Sequence, residues 1–348
     1  MKDSGDTMRD GLLIAAHGSR DRDGIDEFWE FADSWRGLRP DRRLEAGFLE
    51  FERPTIGEAI DRLVDSGARR IVVVPAMLMA AGHVKNDVPS EIAESRSRHP
   101  SVVFHMARPL DIHPALIELC VVRFREAIAD LDPKPLDETM LLLVGRGTSD
   151  PDANANIARV CRFAWESLGV GWGTVAYSGL AEPNVDRALV ICRRMGFQRI
   201  VVLPYFLFDG ILLKRIVDTT KRHAQDDRSI EIVSARHFRS HPLLLRAFED
   251  RAFEAIHGLP VMNCDLCKYR VKITGFEEDL GEPQAGHHYR VRAATTDDDR
   301  SHDHRPRRRG ASGRPGSAAS PLAPFATAGS TVVDHPWDDR LLERLALS

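Results

Sequence analysis

The sequence carries one pattern twice, and this repeat limits what the chain can fold into. Segments of the first half return in the second half in the same order. The matched pairs are Phe51-Glu-Arg-Pro54-Thr-Ile with Leu180-Ala-Glu-Pro183-Asn-Val, Arg70-Ile-Val-Val-Val-Pro75 with Arg199-Ile-Val-Val-Leu-Pro204, and His113-Pro114 with His241-Pro242. Pro54 and Pro183 lie 129 positions apart, and His113 and His241 lie 128 apart. A separation this constant indicates a tandem duplication of one unit of about 120 residues.

Each unit alternates short apolar runs with longer amphipathic ones. Strands are predicted near 11–17, 43–50, 70–77 and 101–107, and again near 139–145, 173–179, 199–206 and 230–236. In the first unit, helical patterns fill 24–37, 55–66, 85–98 and 113–130. The runs are apolar almost throughout, which is typical of strands covered by helices on both faces. Alternation of this kind predicts two tandem doubly wound α/β domains, each built on a parallel sheet.

The duplication also suggests where the domains begin and end. We expect a first unit over 9–131, a second over 138–258, and a remainder over 259–348, with 132–135 as the linker. From 290 to 330 the chain is rich in Asp, Arg, Gly, Ala, Ser and Pro and has almost no large apolar residue. Such a composition cannot bury enough apolar surface to order itself, so a largely disordered C-terminal tail is predicted.

Composition narrows the class of protein further. With 48 Lys and Arg against 52 Asp and Glu, the net charge is −4, which argues against a nucleic-acid partner. No apolar run is long enough to span a bilayer, and the first ten residues do not resemble a secretory signal, so no membrane association is expected. Five cysteines in 348 residues do not form a disulfide framework. A cytoplasmic protein is the expectation.

Three polar residues of the first unit follow its predicted strands. His17 ends the first strand, Glu50 ends the second, and His83 follows the third. Ligands of open α/β sheets bind beyond the carboxyl ends of the strands. Two imidazoles and one carboxylate at that edge suit a divalent metal such as cobalt, nickel, zinc or ferrous iron, or a proton transfer.

The second unit lacks all three of these residues. The repeat places Arg146 opposite His17, Gly179 opposite Glu50 and Ile211 opposite His83. Residues that served folding alone would be needed in both copies. The sequence therefore predicts one working site in the first unit and one degenerate site in the second, where Arg146 could add positive charge to the cleft between halves.

The motifs together resemble a known family. Ala16-His17-Gly18-Ser19-Arg20, Phe48-Leu49-Glu50 with Pro54, and the run from Pro75 to His83 continuing as Val-Lys-Asn-Asp are similar to the class II chelatases. Within that class, the duplicated arrangement over roughly 10–290 resembles the long form of the sirohydrochlorin cobaltochelatases of the CbiX type. The resemblance implies a chelatase fold with flavodoxin-like topology.

The resemblance also implies a reaction, the insertion of Co²⁺ into sirohydrochlorin during cobalamin biosynthesis. His17 and His83 match the histidines that hold the incoming metal, and Glu50 matches the acidic residue on the same side of the cleft. Glu50 would accept a proton, or would orient a histidine and raise its basicity. A neutral histidine can both ligate the ion and accept a proton.

The proposed substrate carries several carboxylates, so cationic and polar partners are expected around the cleft. The candidates that neighbour motif residues are Ser19, Arg20, Arg53 and Lys85. Ser19 could equally cap the following helix. Single-unit members of the family pair two chains to form the cleft, so a pseudo-dimeric monomer is expected here, with further association left open.

A second motif, Cys264-Asp-Leu-Cys267, presents two thiols at metal-ligand spacing. In long-form relatives this motif is associated with an iron–sulfur centre, but a cluster usually takes four protein ligands. Zinc bound by Cys264, Cys267, His287 and His288 is an alternative, as is a redox dithiol.

Two other functions stay open on the sequence. A chelatase for nickel or iron would use the same ligands, since metal selectivity depends on geometry and supply. A non-catalytic carrier of metal or tetrapyrrole would keep His17 and His83 but would not need Glu50 as a proton acceptor.

Overall fold

The computed structural model describes residues 10–258, and these residues form two four-stranded parallel sheets. The strands are β1 Asp10–Ala16, β2 Arg43–Phe48, β3 Arg70–Pro75, β4 Val103–Met106, β5 Thr139–Gly145, β6 Trp172–Tyr177, β7 Arg199–Pro204 and β8 Glu231–Ser234. The helices are α1 Arg22–Leu38, α2 Ile56–Asp65, α3 Val88–Arg98, α4 Pro114–Ile128, α5 Pro151–Leu168, α6 Val185–Arg193, α7 Ile211–Asp226 and α8 Pro242–Ile256. A π-helical turn, His83–Asp87, precedes α3, and a short 3-10 helix, Leu136–Glu138, precedes β5.

The strand order is the same in both sheets. The first sheet runs β2-β1-β3-β4 and the second runs β6-β5-β7-β8, with every pair parallel. The register repeats as well, since Leu13 lies beside Val73 in the first sheet and Leu142 lies beside Val202 in the second. This topology confirms the predicted fold class for the two α/β halves. The predicted tail lies outside the described residues.

Helices cover both faces of each sheet, which explains why the central strands are apolar almost throughout, with a polar residue only at the start of each. On one face of the first sheet, Leu13 and Val73 pack against side chains of α2 and α3. On the matching face of the second sheet, Leu142 and Val202 pack against side chains of α6 and α7. All seven residues of β1 and all seven of β5 are buried.

The other face of each sheet is completed by a helix from the opposite half. Helix α8 packs against β3 and β4, and α4 packs against β7 and β8. The Phe248 ring of α8 lies 4.6 Å from Phe31 and 5.4 Å from Trp35 of α1, measured between ring centroids. Each half therefore buries part of its own core only when the other half is present.

Two buried arginines fasten these exchanged helices in a reciprocal way. Arg251 of α8 donates to the carbonyl oxygens of Pro109 (2.9 Å) and Leu110 (2.7 Å) in the first half. Arg123 of α4, 128 positions earlier, donates to the carbonyl oxygen of Phe238 (2.8 Å) in the second half. The same surface patch is used twice, as in the isologous interface of a two-fold dimer.

Among the described residues, none of the helices has the length and apolar character needed to cross a membrane.

We expect Arg251→Met to lower the free energy of unfolding by about 2–4 kcal/mol, because two buried carbonyls of the first half lose charged donors. Urea denaturation followed by far-UV circular dichroism measures the change. Arg162→Met is the matched control, since the Arg162 side chain is 60% exposed and contacts Glu166 and the Trp165 ring of its own helix. Equal midpoints for the two variants would contradict the proposed fastening.

Candidate metal centre between the halves

Backbone hydrogen bonds set His17 and Glu50 side by side. The β1–β2 ladder continues past both strands, with the Leu49 amide donating to the Ala16 carbonyl and the Glu50 amide donating to the His17 carbonyl, both at 2.9 Å. Gly18 follows in a left-handed conformation (φ 94°), where a Cβ atom would lie 1.9 Å from the Glu50 carbonyl oxygen. Only glycine permits this approach, so Gly18 fixes how closely the two loops meet.

His83 reaches the same place from a π-helical turn. The turn spans His83–Asp87, and the Val88 amide donates to the His83 carbonyl five residues earlier. Turns of this kind are rare and frequently occur at functional sites. The His83 and His17 ring centroids lie 4.4 Å apart, with ring planes at 78°.

The structure thus brings together the three residues that the sequence singled out. One ligand atom from each of His17, Glu50 and His83 lies within 4.8 Å of the other two, and His17 Nε2 is 4.0 Å from Glu50 Oε1. The Glu50 side chain is 5% exposed, whereas the two histidines are partly exposed. Two nitrogens and a carboxylate oxygen at this spacing suit an incoming divalent metal ion.

Hydrogen bonds at Nδ1 set the tautomer of each histidine. His17 Nδ1 lies 2.9 Å from the Gly18 carbonyl oxygen, and His83 Nδ1 lies 2.7 Å from Asp87 Oδ2. Because both partners are acceptors, Nδ1 carries the proton in each neutral ring, and the lone pair is on Nε2. A carboxylate behind a histidine is a common second partner in metal sites, where it raises the basicity of the ligating nitrogen.

Burial sets the acidity of Glu50. Desolvation raises its pKa above the ordinary value of 4.5, and nearby Asp87 raises it too, while His83, Arg146 and Arg20 act in the opposite direction. A buried carboxylate of this kind carries its charge at a cost in folding free energy, and it takes up a proton more readily than an exposed glutamate.

The matching positions in the second half offer no such set. Arg146 follows β5, and Gly179 occupies the place of Glu50, where a Cβ atom would lie 2.6 Å from the Arg146 carbonyl oxygen. The third position, Ile211, is a 57% exposed first residue of α7. Arg146 is exposed to solvent, yet surrounding protein desolvates it enough to lower its pKa, and Glu50 acts in the opposite direction.

Unlike the His–Glu–His set, a lysine with two aspartates occurs in both halves. Lys85 Nζ lies 2.7 Å from Asp150 and 3.2 Å from Asp152 of the second half. Exactly one repeat later, Lys214 Nζ lies 2.8 Å from Asp21 and 2.7 Å from Asp23 of the first half. We call these two sets the lysine clamps. They join the carboxyl-end loops of one sheet to those of the other.

The two lysine clamps differ in exposure. The Lys85 side chain is 2% exposed, while that of Lys214 is 44% exposed. Because the duplicated lysine makes the same pairs where no His–Glu–His set exists, the arrangement favours a structural role for Lys85 over the predicted substrate contact. That contact stays a prediction.

The remaining substrate candidates lie around His17 and Glu50. The Arg20 guanidinium lies 4.8 Å from the centroid of the Phe51 ring. Arg53 is 61% exposed and pairs with Glu58 at 3.0 Å. Ser19 Oγ accepts the Asp21 amide at 3.0 Å, and Asp21 itself caps α1. None of these contacts tests a role in substrate binding, so all three assignments stay predictions.

Two residues of the site were missed from the sequence. Asp87 was visible as the carboxylate four residues after His83, a spacing that places both on one face of a helical turn. Phe51 directly follows Glu50, is 42% exposed, and its ring centroid lies 5.9 Å from that of His17. Its φ of 65° is unusual for a non-glycine residue and often marks a functional loop.

The predicted cysteine site cannot be placed in this geometry. Cys264, Cys267, His287 and His288 all lie outside the described residues. The other three cysteines, Cys120, Cys161 and Cys192, are buried free thiols in helices, where desolvation raises the pKa of Cys192 to about 11 and of Cys161 to about 12.

Comparison with known proteins gives a consistent picture. The CbiX family model matches residues 11–127 and again 140–255. A sirohydrochlorin cobaltochelatase of Priestia megaterium is 36% identical over 263 residues, covering 75% of this chain and 85% of the relative. A sirohydrochlorin ferrochelatase of the same organism is 30% identical over 217 residues, covering 62% of this chain and 80% of the relative.

Among solved structures, SirB from Bacillus subtilis with Fe³⁺ superposes with a TM-score of 0.65 at 25% identity. The match covers 74% of this chain and all of that chain.

We expect Glu50→Gln to raise the melting temperature at pH 8, because the variant removes a charge that burial disfavours. The gain should shrink as the pH falls through the raised pKa toward 4.5, since wild-type Glu50 is then neutral too. Differential scanning fluorimetry at several pH values measures this. Glu166→Gln is the control, because the Glu166 side chain is exposed. A Glu50→Gln protein no more stable than wild type at pH 8 would contradict the conclusion that burial raises the pKa of Glu50.

We expect Asp87→Asn to weaken Co²⁺ binding about 10- to 100-fold, because His83 loses its carboxylate partner. Isothermal titration calorimetry with Co²⁺ measures the affinity. Asp61→Asn is a matched control. Asp61 Oδ1 lies 2.7 Å from His99 Nε2, the same distance as in the His83–Asp87 pair, but this second pair is not part of the site. Equal affinities in the two variants would show that the His83–Asp87 pair does not serve metal binding.

Proposed function

The chain belongs to the CbiX family, and on that premise we propose that it inserts a divalent metal ion into sirohydrochlorin, with Co²⁺ as the ion of its cobalamin pathway. The observation that carries the proposal is the convergence of His17, Glu50 and His83 at the carboxyl edge of the first sheet. The 36% identity to a cobaltochelatase over most of the chain supports the choice of cobalt.

The site would hold Co²⁺ as substrate, through Nε2 of His17 and Nε2 of His83. With the proton of each neutral ring on Nδ1, hydrogen-bonded to Gly18 or Asp87, Nε2 offers its lone pair to the ion. Two or three protein ligands leave coordination positions open, unlike a closed structural site with four. An ion held in this way can be passed to the four nitrogens of the macrocycle.

Metallation displaces two protons from the pyrrole nitrogens of the macrocycle. Glu50 is suited to accept one, because burial raises the pKa of its carboxyl and so strengthens it as a base. His83 is placed to accept a second at Nε2 once the metal has left, because its Nδ1 stays bound to the Asp87 carboxylate at 2.7 Å. Each proton then passes to solvent through the partly exposed histidines.

The surroundings suit a planar, polyanionic substrate. The Phe51 ring is exposed beside His17 and offers an apolar face for the macrocycle, with the Arg20 guanidinium above it. Arg20 and Arg53 are the cations placed to meet substrate carboxylates, and Ser19 stays a candidate from the sequence. Lys85 is the weakest of the four, because its ammonium is buried against Asp150 and Asp152.

A second candidate within the same reaction is iron or nickel insertion. Iron insertion is supported by the 30% identical ferrochelatase and by a solved relative that carries Fe³⁺. Ligand chemistry does not separate these ions, since imidazole and carboxylate bind all three. A carrier of metal or tetrapyrrole is less favoured, because it gives no use to the buried, proton-accepting Glu50.

Several parts of the proposal rest on the sequence. The domain limits 9–131, 138–258 and 259–348 stay a proposal, as do a pseudo-dimeric monomer, a cytoplasmic location and an iron–sulfur or zinc centre at Cys264 and Cys267. The exchanged helices α4 and α8 support a single cleft built by one chain.

We expect the purified full chain to metallate sirohydrochlorin with Co²⁺ under anaerobic conditions, followed by the change in absorption. Parallel reactions with Ni²⁺ and Fe²⁺ at matched concentrations rank the metals, and cobalt should be fastest. His17→Ala with His83→Ala should lower the rate at least about 100-fold, because each metal ligand adds a factor of ten or more.

His257→Ala serves as the control, since His257 is exposed at the end of α8. Unchanged turnover in the double variant would rule out the proposed site. Glu50→Gln separates an enzyme from a carrier: the enzyme loses rate but still binds the macrocycle, whereas a carrier loses nothing.

A further inference from the structure

We infer that Arg146 of the second half binds a carboxylate of the tetrapyrrole and so fixes how the macrocycle lies over His17, Glu50 and His83. This inference rests on the proposed function. It gives the second half a specific part in the reaction, as the opposite wall of one site.

The position of Arg146 follows from the duplication. It comes directly after β5, as His17 comes directly after β1. The carboxyl-end loops of the two sheets meet, because Lys85 reaches Asp150 and Lys214 reaches Asp21. The residue that replaces the first metal ligand therefore lies across the cleft from that ligand.

The Arg146 guanidinium interacts electrostatically with the Glu50 carboxylate. Each of these two groups shifts the pKa of the other across the two halves, in line with the carboxyl-end loops that the lysine clamps join. Across the described residues 10–258, the Arg146 side chain makes neither a hydrogen bond nor an ion pair. The other arginines that face between the halves do, as Arg123 and Arg251 both donate to carbonyl oxygens.

The chemistry of this position favours an anion. A guanidinium fork matches a carboxylate in two parallel hydrogen bonds. It cannot ligate a metal ion, and it repels one, so replacing the histidine by arginine converts a metal-holding position into an anion-holding one. The macrocycle brings carboxylates at its rim together with the nitrogens that receive the metal.

The neighbouring loop leaves room for such a ligand. Gly179 has no side chain where the first half has Glu50, and Leu180, at the position that matches Phe51, is 82% exposed. Phe51 and Leu180 are thus apolar residues at equivalent positions of the two walls, beside Glu50 and Arg146. A flat apolar ligand that carries charged groups at its rim suits a site with two apolar side chains and a nearby guanidinium.

Binding of sirohydrochlorin without metal tests the inference, by titration of absorption or of intrinsic fluorescence. We expect Arg146→Gln to weaken macrocycle affinity about 10- to 100-fold, the range for loss of a charge-assisted hydrogen bond. Arg146→Lys keeps the charge but loses the two-pronged guanidinium. Its macrocycle affinity should lie between that of wild type and that of Arg146→Gln. The KM for Co²⁺ should change less than about threefold, a range typical of a group that does not touch the metal.

The methyl ester of sirohydrochlorin provides the second arm. It removes the carboxylate charges, so wild type and Arg146→Gln should bind it equally. Arg162→Gln is the control, since Arg162 lies on the exposed face of α5 and pairs with Glu166. Melting temperatures of all variants should agree within about a degree or two, since Arg146 makes no hydrogen bond to the part of the chain that the structure describes.

The outcomes separate the alternatives. If Arg146→Gln binds sirohydrochlorin as wild type does, while wild type metallates it, the inference is wrong and the proposed function stands. A variant with normal macrocycle affinity but a raised KM for Co²⁺ would show that Arg146 acts on Glu50 and not on the substrate. Wild-type protein that neither binds nor metallates sirohydrochlorin would overturn the proposed function and this inference with it.

Discussion

Each sheet buries one face under a helix that belongs to the other half of the chain, and the geometry of the site depends on this exchange. Helix α8 covers β3 and β4, while α4 covers β7 and β8. Arg251 and Arg123 hold the exchanged helices through carbonyl oxygens that have no other charged donor in the described contacts. With the halves fixed in this way, the carboxyl edges of the two sheets face one another, and residues from both can act on one ligand.

Duplication separates what the fold requires from what the chemistry requires. The lysine clamps occur in both halves with nearly the same distances, so they belong to the architecture that joins the halves. The His–Glu–His set occurs in one half alone among the described residues. Arg146 stands where the second half would carry its copy of His17. In the function we propose, loss of one metal set leaves a single cleft with a metal-holding wall and an anion-holding wall, which suits a planar polyanionic substrate.

Much of this could be predicted from the sequence, for physical reasons. Apolar strands alternating with amphipathic helices specify a parallel sheet, and the repeat doubles that information, so the fold class was predicted and is confirmed. The positions of His17, Glu50 and His83 at strand ends followed from the same pattern. Contacts between halves could not be predicted, because the exchange of α4 and α8 is a long-range choice that leaves no local signal. For this reason the pairing of Lys85 with Asp150 and Asp152 could not be predicted, and the substrate contact of Lys85 stays a prediction.

The central claim is that one chain builds one metal site, in the first half, with the second half as its opposite wall. Anomalous scattering at the cobalt edge, from crystals of the full chain soaked in Co²⁺, tests this directly. We expect one strong peak in residues 10–258, within about 2.2 Å of Nε2 of both His17 and His83. A second peak of equal height beside Arg146, or no peak at the two histidines, would contradict it.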